Sequence, residues 1–371
     1  MKKRIYLLGT IPVAAFVSLL FATSSCSNDF EVAAPWKEIT LIYGLLDASK
    51  PEQFIRINKA YLDEETDAYV MAKNNDSLYH NGELAVMLRA YKLSGNTVIS
   101  TLEWPLAKVN AADYGIVKDT GVFANNPYYL YYFNTPLKIK EKPDYNYKYE
   151  ISVKSQSGNT ATAETAILDT FKIIKPKSGQ TAEPISLTGD DFDIRWQNVK
   201  NAFNYDVDLY FNYYDVISTG NGDTIEVYKS IKYDVIENFS SDGSASGFIT
   251  YTMPTGAFFK FLRNHPSITN KPDNLMYRRF SNIDIEVFAG SEDLRIYQNA
   301  TQAQFSITNQ QIKPIYNNVK GGLGLFASRS STKTAKLQLS APSLDELGCL
   351  PENSAMQFAP SKNNPQYPYC Q

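Results

Sequence analysis

Between Tyr145 and Lys154 the chain alternates without a break. Tyr145, Tyr147, Tyr149, Ile151 and Val153 fall on one side, and Asn146, Lys148, Glu150, Ser152 and Lys154 on the other. A period of two sustained over this length suits an extended strand with one buried face and one wetted face. The pattern returns at Tyr205, Val207, Leu209, Phe211 and Tyr213, which alternate with Asp206, Asp208, Tyr210 and Asn212. A third instance is Ile283, Ile285, Val287 and Ala289. Half-buried strands need a second layer to cover them, so the pattern predicts sheets packed face to face. The 26 Tyr and 20 Phe supply side chains that favour pleated surfaces. A length of 371 residues and a 43% hydrophobic content give material for about two domains.

The remaining segments fit that frame. Ile39–Leu46 and Phe54–Asn58 read as strands, and Leu62–Gly82 as a polar loop with a helical turn. Glu83–Leu93 and Val98–Trp104 form a hairpin across Ser94-Gly95-Asn96, and Ser157-Gly158-Asn159 turns the Tyr145 strand into Thr160–Ile167. Ile174–Pro184 reads as a linker. Thr219–Asp223 turns the Tyr205 strand into Thr224–Ile236. Thr255 is placed to cap a helix ending at His265-Pro266, and Ser291 to cap another over Glu292–Asn299. Gly321–Phe326 leads into a last pair of short strands running to about Ser340.

Pro143–Tyr147 resembles the tyrosine-corner entry of fibronectin-like sandwiches, with Tyr147 at the corner. A strand ending at Trp196 followed by one starting at Tyr205 resembles the B and C strands of such folds. The expected class is therefore all-β: two antiparallel immunoglobulin/fibronectin-III-like β-sandwich domains with minor helices. The expected bounds are a signal peptide over 1–25, a lipidated tether over 26–36, and an N-terminal sandwich over 37–168. A C-terminal fibronectin-like sandwich follows over 169–340, then a disulfide-pinned tail over 341–371.

The N-terminus carries the location. Lys2, Lys3 and Arg4 precede the apolar run Ile5–Ala22, and the small residues Thr23-Ser24-Ser25 stand before Cys26. This order is that of a secretory signal peptide, and a cysteine at the cleavage point marks it for lipidation. The rival readings are an uncleaved anchor, which Gly9 and Pro12 would interrupt, and cleavage elsewhere by an ordinary signal peptidase. Without its three leading basic residues the chain keeps 33 basic against 39 acidic residues. No Lys/Arg run stands out, which argues against nucleic acid as a partner. With Cys26 acylated, Cys349 and Cys370 remain as an even pair around a Pro-rich tail, and a structural disulfide is expected.

Taken together, the lipoprotein signal, the strand pair containing Tyr43–Asp47 and Phe54–Leu62, and the segment Asn317–Ser331 carry a resemblance. The chain resembles a family of uncharacterised β-rich outer-membrane lipoproteins of the Bacteroidota. The resemblance implies association with TonB-dependent transporters and lends no catalytic residues. Only Asp29 and Glu31 follow the cysteine closely, which leaves the cell surface and the periplasmic face both open.

The candidate chemistry is sparse. His80 and His265 have no ligands at zinc spacing, so no metal is expected. Asp63-Glu64-Glu65-Asp67 and Asp190-Asp191-Asp193 lack calcium-loop spacing and read as solvated turns. Gly321–Gly324 is not a phosphate loop and reads as a bulge or tight strand crossing, and Gly243–Gly247 centres on Ala245 rather than a nucleophile. Tyr128-Tyr129, Tyr131-Tyr132, Tyr210, Tyr213 and Tyr214 read either as core or as a platform for sugar rings or a peptide. Tyr210 is the candidate ligand contact, because it lies on the polar face of its strand. Asp76-Ser77-Leu78 and Asp223-Thr224-Ile225 resemble an O-glycosylation signal on Ser77 and Thr224. The sequence thus points to a non-enzymatic envelope lipoprotein without cofactor, acting by binding as an accessory to TonB-dependent uptake. The alternative is a glycan- or host-binding surface adhesin.

Overall fold

The computed structural model describes residues 39–60, 67–124, 127–139, 145–177, 179, 182–189, 191–304 and 316–361. The expected signal peptide, the expected tether with Cys26, the acids at 63–65 and 190, and Cys370 lie outside the described residues. What is described is mostly β, in sandwich-like sheets.

The first sandwich sets a four-stranded sheet against one end of an eight-stranded sheet. The smaller sheet orders β4 (Thr97–Pro105), β3 (Ala85–Ser94), β7 (Tyr145–Lys154) and β8 (Thr160–Ala166). The facing strands are β1 (Ile39–Asp47), β2 (Gln53–Ala60), β6 (Tyr129–Phe133) and β5 (Ala107–Asn110). Their inner faces interdigitate: Ile42, Leu46, Ile55 and Ile57 meet Leu88, Tyr149, Ile151 and Val153, all buried. The alternation expected over Tyr145–Val153 is present, with Tyr147 through Val153 buried at every second position.

The second sandwich packs β11 (Asn204–Ser218), β12 (Thr224–Ser240) and β14 (Leu275–Gly290) against β9 (Ile173–Lys175), β10 (Asp191–Gln197) and β13 (Phe248–Pro254). Helices α1 (Thr255–Asn264), α2 (Glu292–Gln304) and α3 (Ala341–Cys349) decorate it. Tyr205, Val207, Leu209 and Phe211 of β11 bury against Ile194, Trp196, Met253 and Phe258. The first buried cluster runs along the chain to Ile167 and is completed by Val319 and Phe326, and the second begins at Leu168.

Several expectations are corrected. The last pair of short strands is a single long strand, β15 (Gly322–Leu337). The pattern hides it because Ser328, Ser330 and Thr334 are buried where apolar residues would mark a strand. β15 serves both sandwiches. From Gly322 to Arg329 it runs parallel to β1, and from Arg329 to Leu337 antiparallel to β14. The eight-stranded sheet is therefore mixed rather than wholly antiparallel. Arg329 marks the changeover and places its Nε 2.8 Å from Asp47 Oδ2. The linker expected from Ile174 begins inside β9, which pairs with β10. The tail adds core: Leu347, Met356 and Phe358 belong to the second cluster.

Local chemistry also departs in detail. Beside the expected corner residue Tyr147, the Tyr149 hydroxyl reaches upstream backbone, accepting from Lys138 N at 2.6 Å and donating to Lys138 O at 3.2 Å. Thr255 does not cap α1: Pro254 holds the cap position, and the Thr255 hydroxyl donates to Gly189 O. Ser291 turns its hydroxyl toward β15, where it accepts from Ser328 N at 3.2 Å.

Candidate binding surfaces and the junction cavity

Tyr210 projects from β11 onto the outer face of the long sheet, opposite Lys232 on β12 and Asp284 on β14. Because successive residues alternate faces, the same surface gathers Asp206, Asp208, Asp234 and Glu286. Lys232 Nζ lies 3.1 Å from Asp208 Oδ2 and 2.7 Å from Asp234 Oδ1. Burial raises the Asp208 carboxyl above its ordinary value against the pull of Lys232. Burial alone would lower Lys232, but the hydrogen bonds it donates to Asp234 and Asp208 outweigh it and move the ammonium upward. The Tyr210 ring is half-buried, its hydroxyl donates to Asp208 Oδ2 at 3.4 Å, and Lys333 Nζ stands 5.2 Å from its centroid. Tyr210 is thus a half-buried member of an ionic ladder.

The other tyrosines separate by depth. Tyr131 and Tyr213 are buried in the two sandwiches. Tyr132 stacks with Phe54 and Tyr114 at centroid distances of 5.1 and 4.7 Å, and its hydroxyl donates to Glu52. Tyr129 meets Tyr79 at 5.2 Å under Lys108. Tyr214 packs on Tyr228 at 5.5 Å, with the Arg279 guanidinium 4.5 Å from its ring. Among the described ring contacts, Tyr210 stacks on none of these tyrosines.

His80 is buried, and its Nε2 donates to Asn58 O at 3.1 Å. His265 closes α1 and opens the next helical turn, where its Nδ1 accepts from Ser267 N at 3.1 Å. Burial lowers the His265 pKa. Among the described residues no group of three His, Cys, Asp or Glu is placed to hold a metal ion. Asp67 is spent as the cap of a short helix, and Asp193 pairs with Lys175 and Thr252. Ser77 sits half-buried in a one-turn helix, whereas Thr224 is exposed at the start of β12. Cys349 is buried at the end of α3.

A cavity of about 320 Å³ opens where the two sandwiches meet. Its walls are three turns, the connection 167–171, the β10–β11 loop 197–201 and the approach to β13 at 245–248, together with Ile139 and Asn146 of the first sandwich. Hydrogen bonds lash these turns together. Gln197 N donates to Lys172 O at 3.1 Å, and Lys172 N to Gln197 Oε1 at 3.1 Å. Asn198 N donates to Gly247 O at 3.2 Å, and Asn201 N to Gly243 O at 2.9 Å. Asn198 Oδ1 accepts from Tyr205 Oη and Val199 N, at 2.9 and 3.1 Å. Asn201 adopts φ +65°, a left-handed conformation that Asn tolerates better than most residues. Compared with known proteins, the chain matches no family model and none of the curated proteins.

Sequence reasoning missed this cavity, because loops from three distant stretches build it. It also missed Arg278. Arg278 is fully buried, with its Nε 2.9 Å from Asp215 Oδ1, Nη1 2.7 Å from Met356 O and Nη2 3.1 Å from Ile268 O. These bonds satisfy the guanidinium inside the second sandwich and pin the segment after α3 to β14.

Proposed function

We propose that the chain is a non-enzymatic lipoprotein of the outer membrane, anchored through acylated Cys26, that acts by binding as an accessory to a TonB-dependent uptake system. The N-terminal signal pattern supports the anchor, and the family resemblance supports the transporter as partner. The cavity between the sandwiches carries the binding role. Its walls mix polar and apolar side chains and are fixed to one another by hydrogen bonds, which is the form of a ligand site rather than a packing defect. The finer immunoglobulin/fibronectin-III-like reading is supported by β10 and β11 lying in opposite sheets, the fully buried Trp196, and the Tyr149 hydroxyl bond to Lys138. In the same proposal Cys349 pairs with Cys370, and Ser77 and Thr224 are glycan acceptors, of which Thr224 is the more accessible.

The test is isolation of the native protein from membranes after mild cross-linking, with intact-mass analysis. The expected result is an acylated Cys26 and a co-isolated TonB-dependent transporter. An unacylated Cys26, or the absence of any transporter, overturns the corresponding part. A mass equal to the acylated polypeptide alone removes the glycan acceptors, and free thiols at 349 and 370 remove the disulfide.

A further inference from the structure

We propose that the cavity between the sandwiches binds a neutral sugar, as one or two pyranose units of a larger glycan. The inference rests on the binding role proposed above and supplies its ligand class. The size, about 320 Å³, is at the small end of ligand sites. The lining decides the chemistry. Asn146 and Asn201 each offer an amide that both donates and accepts, Asp169 offers a carboxylate, Thr170 a hydroxyl and Lys200 an ammonium. Among the described residues no hydrogen bond occupies the side chains of Asn146, Lys200 or Asn201. Asn198 and Gln197, by contrast, spend theirs on holding the walls.

One carboxylate against one ammonium leaves the lining without net charge, so it selects neither a phosphate nor a cation. Its many polar groups make it a poor host for an acyl chain. A polyhydroxylated ring matches both facts, since each hydroxyl donates and accepts. Phe248 completes the match. Its ring is half-exposed at the cavity wall, and the Arg195 guanidinium 4.6 Å from the centroid holds it in place. A flat aromatic surface beside amides meets the two sides of a pyranose: ring C–H groups on the aromatic plane, hydroxyls on the amides.

The experiment is calorimetric titration of the intact protein with neutral oligosaccharides built from glucose, galactose, mannose, xylose or N-acetylglucosamine. At least one should bind. Phe248→Ala should then weaken it by about tenfold or more, and Asn146→Ala should weaken it as well. Phe123→Ala, an exposed ring on the first sandwich, should leave binding unchanged. Unaltered thermal melting of each variant shows that the fold is kept. Failure of every neutral oligosaccharide to bind, or binding indifferent to both Phe248→Ala and Asn146→Ala, overturns the proposal. Acylation of Cys26 and transporter co-isolation are read separately. A protein that passes both yet binds no neutral sugar keeps its proposed function and loses this site.

Discussion

Each sandwich is closed by chain returning from near the C-terminal end, and the two closures work by opposite means. In the first, β15 slides in beside β1 on glycines. A Cβ at Gly324 would strike Ile42 O, one at Gly321 would strike Thr160 O, and Val319 and Phe326 fill the core. In the second, the segment around Phe358 is tied down by charge. Arg278 N donates to Gln357 O at 2.7 Å, Ala359 N donates to Arg278 O at 2.8 Å, and the buried guanidinium holds Asp215 and Met356 O. The first closure depends on side chains that are absent, so no substitution at the crossing preserves it. The second depends on a matched pair, so losing one partner harms it more than losing both.

The largest effect should come at the glycine crossing. Gly324 has φ +129° as well as the carbonyl contact, so Gly324→Ala combines backbone strain with a clash that backbone must relieve. The expected loss exceeds about 4 kcal/mol, in the range that leaves little folded protein, and soluble yield and circular dichroism check it. The next effect is at the ion pair. Arg278→Ala leaves Asp215 buried and unpaired, for an expected loss of about 3–5 kcal/mol by chemical denaturation. Arg278→Met with Asp215→Leu should recover most of it, and a double variant as unstable as the single one would show that the carbonyl bonds carry the closure instead.

How far these closures could be foreseen differs between them. The alternation of β7, β11 and β14 is visible because an apolar residue occupies every second position against water. The glycine segment announced a tight crossing for the same local reason. β15 as one strand was not visible, since its partner β1 lies far away in sequence and its buried Ser328 and Ser330 look like turn residues. Arg278 was hidden because a charge reads as surface until its partners are known. The cavity was hidden because its parts join only when β10, β11 and the 167–172 connection meet. Tyr210 was correctly placed on the polar face, but its ionic neighbours come from β12 and β15.

A smaller effect probes the seam between the two closures. Ser328 donates to Ala166 O at 2.5 Å, while its own N–H is taken by Ser291 Oγ. Ser328→Ala should cost about 1 kcal/mol, and a larger loss would place more of the seam's stability in that hydroxyl than in the glycine crossing. The smallest is a pH effect confined to the second sandwich. The His265 pKa is lowered by burial, so the unfolded chain binds the proton more tightly. Stability from this group is present above the ordinary pKa of about 6.5 and is lost as pH falls through the folded value. His265→Asn, which can still cap, should flatten that slope in melting temperature against pH.

The central claim is that β15, by running through both cores, makes the two sandwiches one cooperative body and so fixes the cavity between them. Trp104 reports on the first sandwich and Trp196 on the second. Urea unfolding should be followed by fluorescence in two variants, Trp36→Phe with Trp196→Phe, and Trp36→Phe with Trp104→Phe, each referenced to the circular dichroism of the same sample. The account predicts that fluorescence and circular dichroism share one midpoint in both variants; a sandwich that unfolds at its own, separate midpoint would contradict it.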